Sequence, residues 1–159
     1  MHPFAQLVAR VAELERRANN MMRHGTVHPG SVDPAKATVR LRLGGTDEKP
    51  FLSPPVPYAQ IAGAMKVHTP PSDGQQMTLL SPTGDFRQAV AMPLTWSDQN
   101  ASPSQAGDQH VLKFGSCTIT IKGDEVHVEV PKVTLTCGGS SFELTGGGLK
   151  MKAADYQFD

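Results

Sequence analysis

Residues 115–152, GSCTITIKGDEVHVEVPKVTLTCGGSSFELTGGGLKMK, are short alternating runs broken by glycine-rich turns. A period of two places successive side chains on opposite faces, so each run reads as a strand with one apolar face. That face comprises Ile119, Ile121, Val126, Val128, Val130, Val133, Leu135, Phe142, Leu144, Leu149 and Met151. Threonine, glutamate, lysine and His127 take the alternate positions. Turns are expected at Lys122-Gly123-Asp124, Pro131-Lys132, Gly138-Gly139-Ser140 and Gly146-Gly147-Gly148. Steps of seven from Ile119 to Val126 to Val133, and again from Phe142 to Leu149, make a quasi-repeat of one strand and one turn.

A one-sided sheet needs a cover. Left alone, its apolar face is wet and its strand edges are open to pairing with other chains. The following AADYQFD is no apolar helix. Either the strands pack back on the preceding region, or identical chains wrap their inward faces around a shared axis. The second is favoured, because a small preceding region offers too little surface and an intertwined assembly closes every edge.

Composition narrows the function classes. Lys+Arg and Asp+Glu both number 15, so the formal charge is zero, unlike a strongly basic nucleic-acid binder. With 15 Gly and 13 Pro, a turn-rich β protein is expected. The 2 cysteines make no disulfide framework, zinc ribbon or redox pair. Cys117 and Cys137 share the inward phase and read as small hydrophobes. No apolar run is long enough to span a bilayer, and the N-terminus lacks the pattern of a signal peptide, so synthesis in the cytoplasm is expected.

The expected organisation is all-β after an N-terminal helix. Residues 1–24 form that helix, with Phe4, Leu7, Val8, Val11, Leu14, Ala18 and Met21 recurring at helical spacing and Gly25 stopping it. Leu7, Val11 and Leu14 are its candidate contact residues, toward copies of the chain or another protein. Residues 25–97 form a small barrel of the OB type. Its clearest strand alternates Thr38, Arg40 and Arg42 with Val39, Leu41 and Leu43. Residues 98–109 are a polar linker, and 110–159 are the strand ladder.

Catalytic and ligand-binding readings are weak throughout. Asp124-Glu125 and Asp47-Glu48 are turn or loop residues without a cleft. His24 and His28 flank helix breakers, so they do not share a helical face as metal ligands would. Neither glycine-rich stretch, GGTDEK or TGGGLK, has phosphate-loop order. No catalytic residue, metal site or cofactor is expected, and the chain is not expected to be an enzyme. Arg40, Arg42, Tyr58 and Trp96 are the residues available to an alternative reading, in which an OB-type module binds nucleic acid or glycan above an oligomerisation stalk.

The order of motifs across most of the chain is more specific. Gly25-Thr26-Val27, Asp33, Val39-Arg40-Leu41, Leu52-Ser53-Pro54, Pro71-Ser72-Asp73-Gly74-Gln75 and Pro82-Thr83-Gly84-Asp85 follow one another and precede the ladder. In this the chain resembles the baseplate assembly protein V family, the central spikes of contractile phage tails and related injection machines. The resemblance implies a helix and OB barrel seated on a baseplate hub protein, then an intertwined triple-stranded β-helix in a homotrimer. It implies a mechanical role in the virion tail baseplate, assembled in the host cytoplasm: piercing the target cell's outer membrane on sheath contraction. Many members carry a His-x-His near the C-terminal end that binds an axial iron ion. Here the ladder has only His127, out of phase with the valines, so no such site is expected and a separate tip protein would cap the spike.

Overall fold

The computed structural model describes residues 3–156. The chain is mostly β, with one N-terminal helix and several sheets, and divides into two compact units, Met1–Ala101 and Ser102–Asp159. Pro3, whose ring fixes a helical φ and whose missing N–H costs nothing in a first turn, opens helix α1 (Pro3–Asn20). No residue of α1 is buried. Glu13 accepts hydrogen bonds from Arg16 Nε at 2.8 Å and Arg17 Nε at 2.6 Å. These bonds hold its carboxyl at about 2, down from an ordinary 4.5. The stabilisation is therefore complete above pH 4.5 and lost as pH falls toward 2. The group is solvent-exposed, so the effect is small and screened by salt. Glu13→Gln is expected to lower helicity, measured by circular dichroism at low ionic strength, at pH 7 but not at pH 2.

The helix ends at Asn20, short of the expected boundary, and Gly25 is not its stop signal. Strand β1 (Met22–Val27) begins almost at once, with Met22 to Thr26 paired antiparallel to Leu80 to Gln76. Strand pairing thus captures Met22, Arg23 and His24, which helical periodicity alone assigns to the helix. Ser81 N donates to Met21 O at 2.8 Å, fixing the corner between helix and strand.

The remaining strands of the first unit are β2 (Thr38–Val39), β3 (Leu41–Gly45), β4 (Pro50–Leu52), β5 (Val56–Pro57), β6 (Gln76–Leu80) and β7 (Val90–Pro93). A five-stranded sheet runs β4-β3-β1-β6-β7, and β2 pairs with β5. A bridge from Tyr58, just after β5, to Ala91 in β7 carries the pairing back toward the strand segment that β2 and β3 share. The chain turns into β2 at Asp33, whose carboxylate accepts from the backbone N–H groups of Ala35 and Lys36, each at 3.1 Å. As the alternation predicts, Val39, Leu41 and Leu43 are buried and Arg40 is exposed. They join Val27, Val56, Tyr58, Met77, Leu79, Ala89 and Ala91 in the core. The stretch FRQAVAM starts with a 3-10 turn, Phe86–Gln88, because Asp85 caps it by accepting from Arg87 N, and only its end enters β7.

Tyr58 is 5% exposed, and its hydroxyl has no hydrogen-bond partner among the described residues. A buried, unsatisfied hydroxyl costs about 1–3 kcal/mol. Tyr58→Phe is therefore expected to raise the midpoint of thermal unfolding slightly.

The second unit holds two antiparallel meanders. The first has order β10-β9-β8, from β8 (His110–Phe114), β9 (Cys117–Lys122) and β10 (Glu125–Glu129). The second has order β11-β12-β13, from β11 (Lys132–Cys137), β12 (Ser140–Thr145) and β13 (Gly148–Lys152). Gly123 and Gly138 occupy hairpin corners at φ of 55° and 56°, a region that costs residues with a Cβ. Val130 falls between β10 and β11, outside any strand, because Pro131 follows and ends the pairing.

Candidate assembly surface

Directly paired residues of neighbouring strands share a face. In the first meander, Leu112 pairs with Ile119 and Ile119 with Val128, while His110 pairs with Ile121 and Ile121 with Val126. Phe114 and Cys117 pair at the end of the same face. In the second, Val133, Leu144 and Leu149 form one row and Leu135, Phe142 and Met151 the next, with Cys137 at the margin. Each meander therefore has one face almost entirely of branched, aromatic or sulfur-bearing side chains.

The opposite faces are polar apart from Val111, which pairs with Thr120. Thr120 pairs with His127 and Thr118 with Glu129, so His127 lies away from Val126 and Val128. Thr134, Glu143 and Lys150 form the corresponding row of the second meander. Lys132 pairs with Glu143, and its ammonium holds the Glu143 carboxyl below the usual range. Such charge belongs on a solvated surface.

The apolar faces are bare. Leu135 is 63% exposed, Val126 65% and Leu144 47%, and among the described residues every buried hydrophobic side chain of the core lies from Val27 to Ala91. Of the expected assembly residues, Ile119, Ile121, Val126, Val128, Leu135, Leu144, Leu149 and Met151 are exposed, and Val130, Val133 and Phe142 are half-buried. Cys117 and Cys137 are free thiols, exposed in the single chain. Leu112 and Phe114 belong to the same surface and were not anticipated. Their signal was available: His110, Leu112 and Phe114 alternate with Val111 and Lys113.

The helix carries a second bare stripe, with Leu7 and Leu14 both 59% exposed and Val11 46%. Only the C-terminal end of α1 lies near the rest of its unit. Arg16, Arg17 and Asn20 line an open groove of about 700 Å³ with Phe51, Thr83, Asp85 and Arg87. Gly84, at φ 71°, lies so close to the Arg17 backbone that a Cβ would collide with it. Asp85 is held below the usual carboxylate range by its bonds to the Arg87 side chain and backbone.

The residues of the binding-module reading do not form an open stacking face. Tyr58 is buried, Arg40 Nε donates to Ser53 O at 3.0 Å, and Arg42 Nη1 pairs with Asp47 at 2.6 Å. Of the two aromatic residues, only Trp96 is exposed. His24 Nδ1 is bonded to Thr78 Oγ1 at 3.0 Å. Among the described residues, no helix is long and apolar enough to cross a membrane. No protein-family model matches the chain, and no curated protein matches it.

Proposed function

We propose that this chain is the central spike of a contractile phage tail or phage-like injection machine. In this reading it is a non-enzymatic homotrimer in the tail baseplate. The helix and an OB-type barrel sit on the hub protein, and the C-terminal strands of three copies form an intertwined triple-stranded β-helix. Sheath contraction drives that needle through the target cell's outer membrane, with a separate protein capping its tip.

One observation carries the reading: residues 110–152 contain two meanders, each with a bare apolar face and none of the chain's buried core. Bringing three such faces together around an axis removes them from water and leaves Thr, Lys and Glu outside. Closing the sheets also removes the edges through which a load-bearing needle would fray or aggregate. The pairing that returns through Tyr58 and Ala91 fits a small barrel. The motif residues have backbone roles suited to a scaffold: Gly74, at φ 72°, donates its N–H to Val27 O at 3.0 Å, and Pro71 is buried.

Light scattering on the eluted full chain, with an oligonucleotide titration at several salt concentrations, tests the proposal. The expected result is three times the chain mass, resistance to SDS, and no DNA binding. A monomer that binds oligonucleotide with a steep salt dependence would instead establish the binding module.

A further inference from the structure

The apolar stripe of α1 has a finer order than amphipathicity alone requires. Phe4, Leu7, Val11, Leu14 and Ala18 are spaced three, four, three and four residues apart, the a and d positions of a heptad repeat. Val8 and Glu15 then fall at e, and Arg10 and Arg17 at g. The last residues of the helix, Arg16 at f, Arg17 at g and Asn20 at c, lie near the loop around Gly84. Its own unit thus meets only the C-terminal end of the helix and leaves Leu7, Val11 and Leu14 bare.

The charges identify the occupant. In a parallel pair, a g residue meets the e′ residue five positions later on its neighbour. Here Arg10 meets Glu15, opposite in sign. An antiparallel pair would set g against g′, arginine against arginine. Neither Arg10 nor Glu15 forms an ion pair with a described residue of its own chain, although Glu13 beside them takes two arginines. We infer that α1 binds the same helix of other copies as a parallel, in-register bundle, with Leu7, Val11 and Leu14 in the seam and Arg10 bridging to Glu15 of the next chain. Apolar Val8 at e widens the stripe beyond a strict two-helix seam, as a bundle of more than two helices needs. The inference rests on the self-assembly reading for the presence of other copies, and adds that the N-terminal end of the chain is also joined copy to copy, so that the outer face of the bundle, not the Leu7–Val11–Leu14 stripe, is left for the hub protein.

Cross-linking of the full-length chain tests it. With Cys117→Ala and Cys137→Ala as background, Leu14→Cys under mild oxidation is expected to give a disulfide-linked dimer band on non-reducing SDS gels. Ala9→Cys, on the outer side of the helix, should not. Arg10→Glu should reduce the Leu14→Cys cross-link about two- to fivefold, the size of one exposed ion pair, and adding Glu15→Arg should restore it. A trimer in which Leu14→Cys cross-links no better than Ala9→Cys overturns the helix bundle and leaves the spike reading standing, with α1 then docking on another protein. Cross-linking that the double charge reversal fails to restore overturns the parallel register. A monomer overturns both readings.

Discussion

In the proposed assembly, Leu144→Asp is expected to yield a chain that elutes as a monomer or aggregates, while Thr136→Asp leaves the SDS-resistant oligomer intact. Leu144 sits mid-row between Val133 and Leu149, on the bare face of the second meander. In a chain that stays alone, that position is 47% exposed and a carboxylate there meets water. Surface substitutions of that kind usually change stability by no more than about 0.5 kcal/mol. In a closed assembly the same substitution buries one carboxylate per copy, each at a cost of several kcal/mol, and sets them against one another. Thr136 lies in the row of Ser141 and Lys152 on the opposite face, where an aspartate stays solvated near a lysine. Both variants carry the same change of charge, so only the face differs. Analytical ultracentrifugation of the two, with wild type, separates the cases. If Leu144→Asp assembles as wild type does, the bare faces are not the assembly surface.

The two-face character of that region was legible because the strand period fixes which side chains share a side, whatever they later pack against. Ile119, Val126 and Leu144 needed no tertiary knowledge. The arrangement of the strands was less legible. The alternation runs past Val130, but Pro131 lacks an N–H to donate, so the ladder breaks into two meanders there. His110–Phe114 fell within the expected ladder, but its inward residues Leu112 and Phe114 were not singled out, because a polar linker immediately precedes it and its alternation is short. In the first unit, Val39, Leu41 and Leu43 declared themselves by alternation, whereas the buried Ser53 did not. Its position depends on a hydroxyl that accepts from Leu41 N at 2.9 Å and donates to Pro54 O at 2.8 Å, a pairing that exists only after the chain has folded back. The heptad order of α1 lay in the sequence throughout. Which flank of the helix was free to use it depended on the contact of Gly84 with Arg17.

Gly25 is the position where local reasoning misleads most, and it carries the largest effect expected in the first unit. A glycine just after an amphipathic run reads as a helix stop. In the structure it lies inside β1, in the middle of the five-stranded sheet. A Cβ there would stand 2.5 Å from the Arg42 carbonyl oxygen and 3.1 Å from Leu43 Cδ2. The first neighbour is the backbone of β3, which cannot move without losing its pairing with β1. Inside a strand, alanine is ordinarily better than glycine by roughly 0.5–1 kcal/mol, so the sign of the change is diagnostic. Gly25→Ala is expected to destabilise the first unit by about 1–3 kcal/mol through overpacking. For a unit of about 100 residues, that lowers its thermal midpoint by roughly 5–20 °C. Gly25→Val adds two methyl groups to the same collision and should leave the first unit unfolded near physiological temperature. The second unit is separately compact, so the SDS resistance expected of the proposed assembly should survive both substitutions. Calorimetry paired with gel analysis reads the two units independently. A Gly25→Ala chain as stable as wild type would mean that β1 and β3 do not approach one another as described.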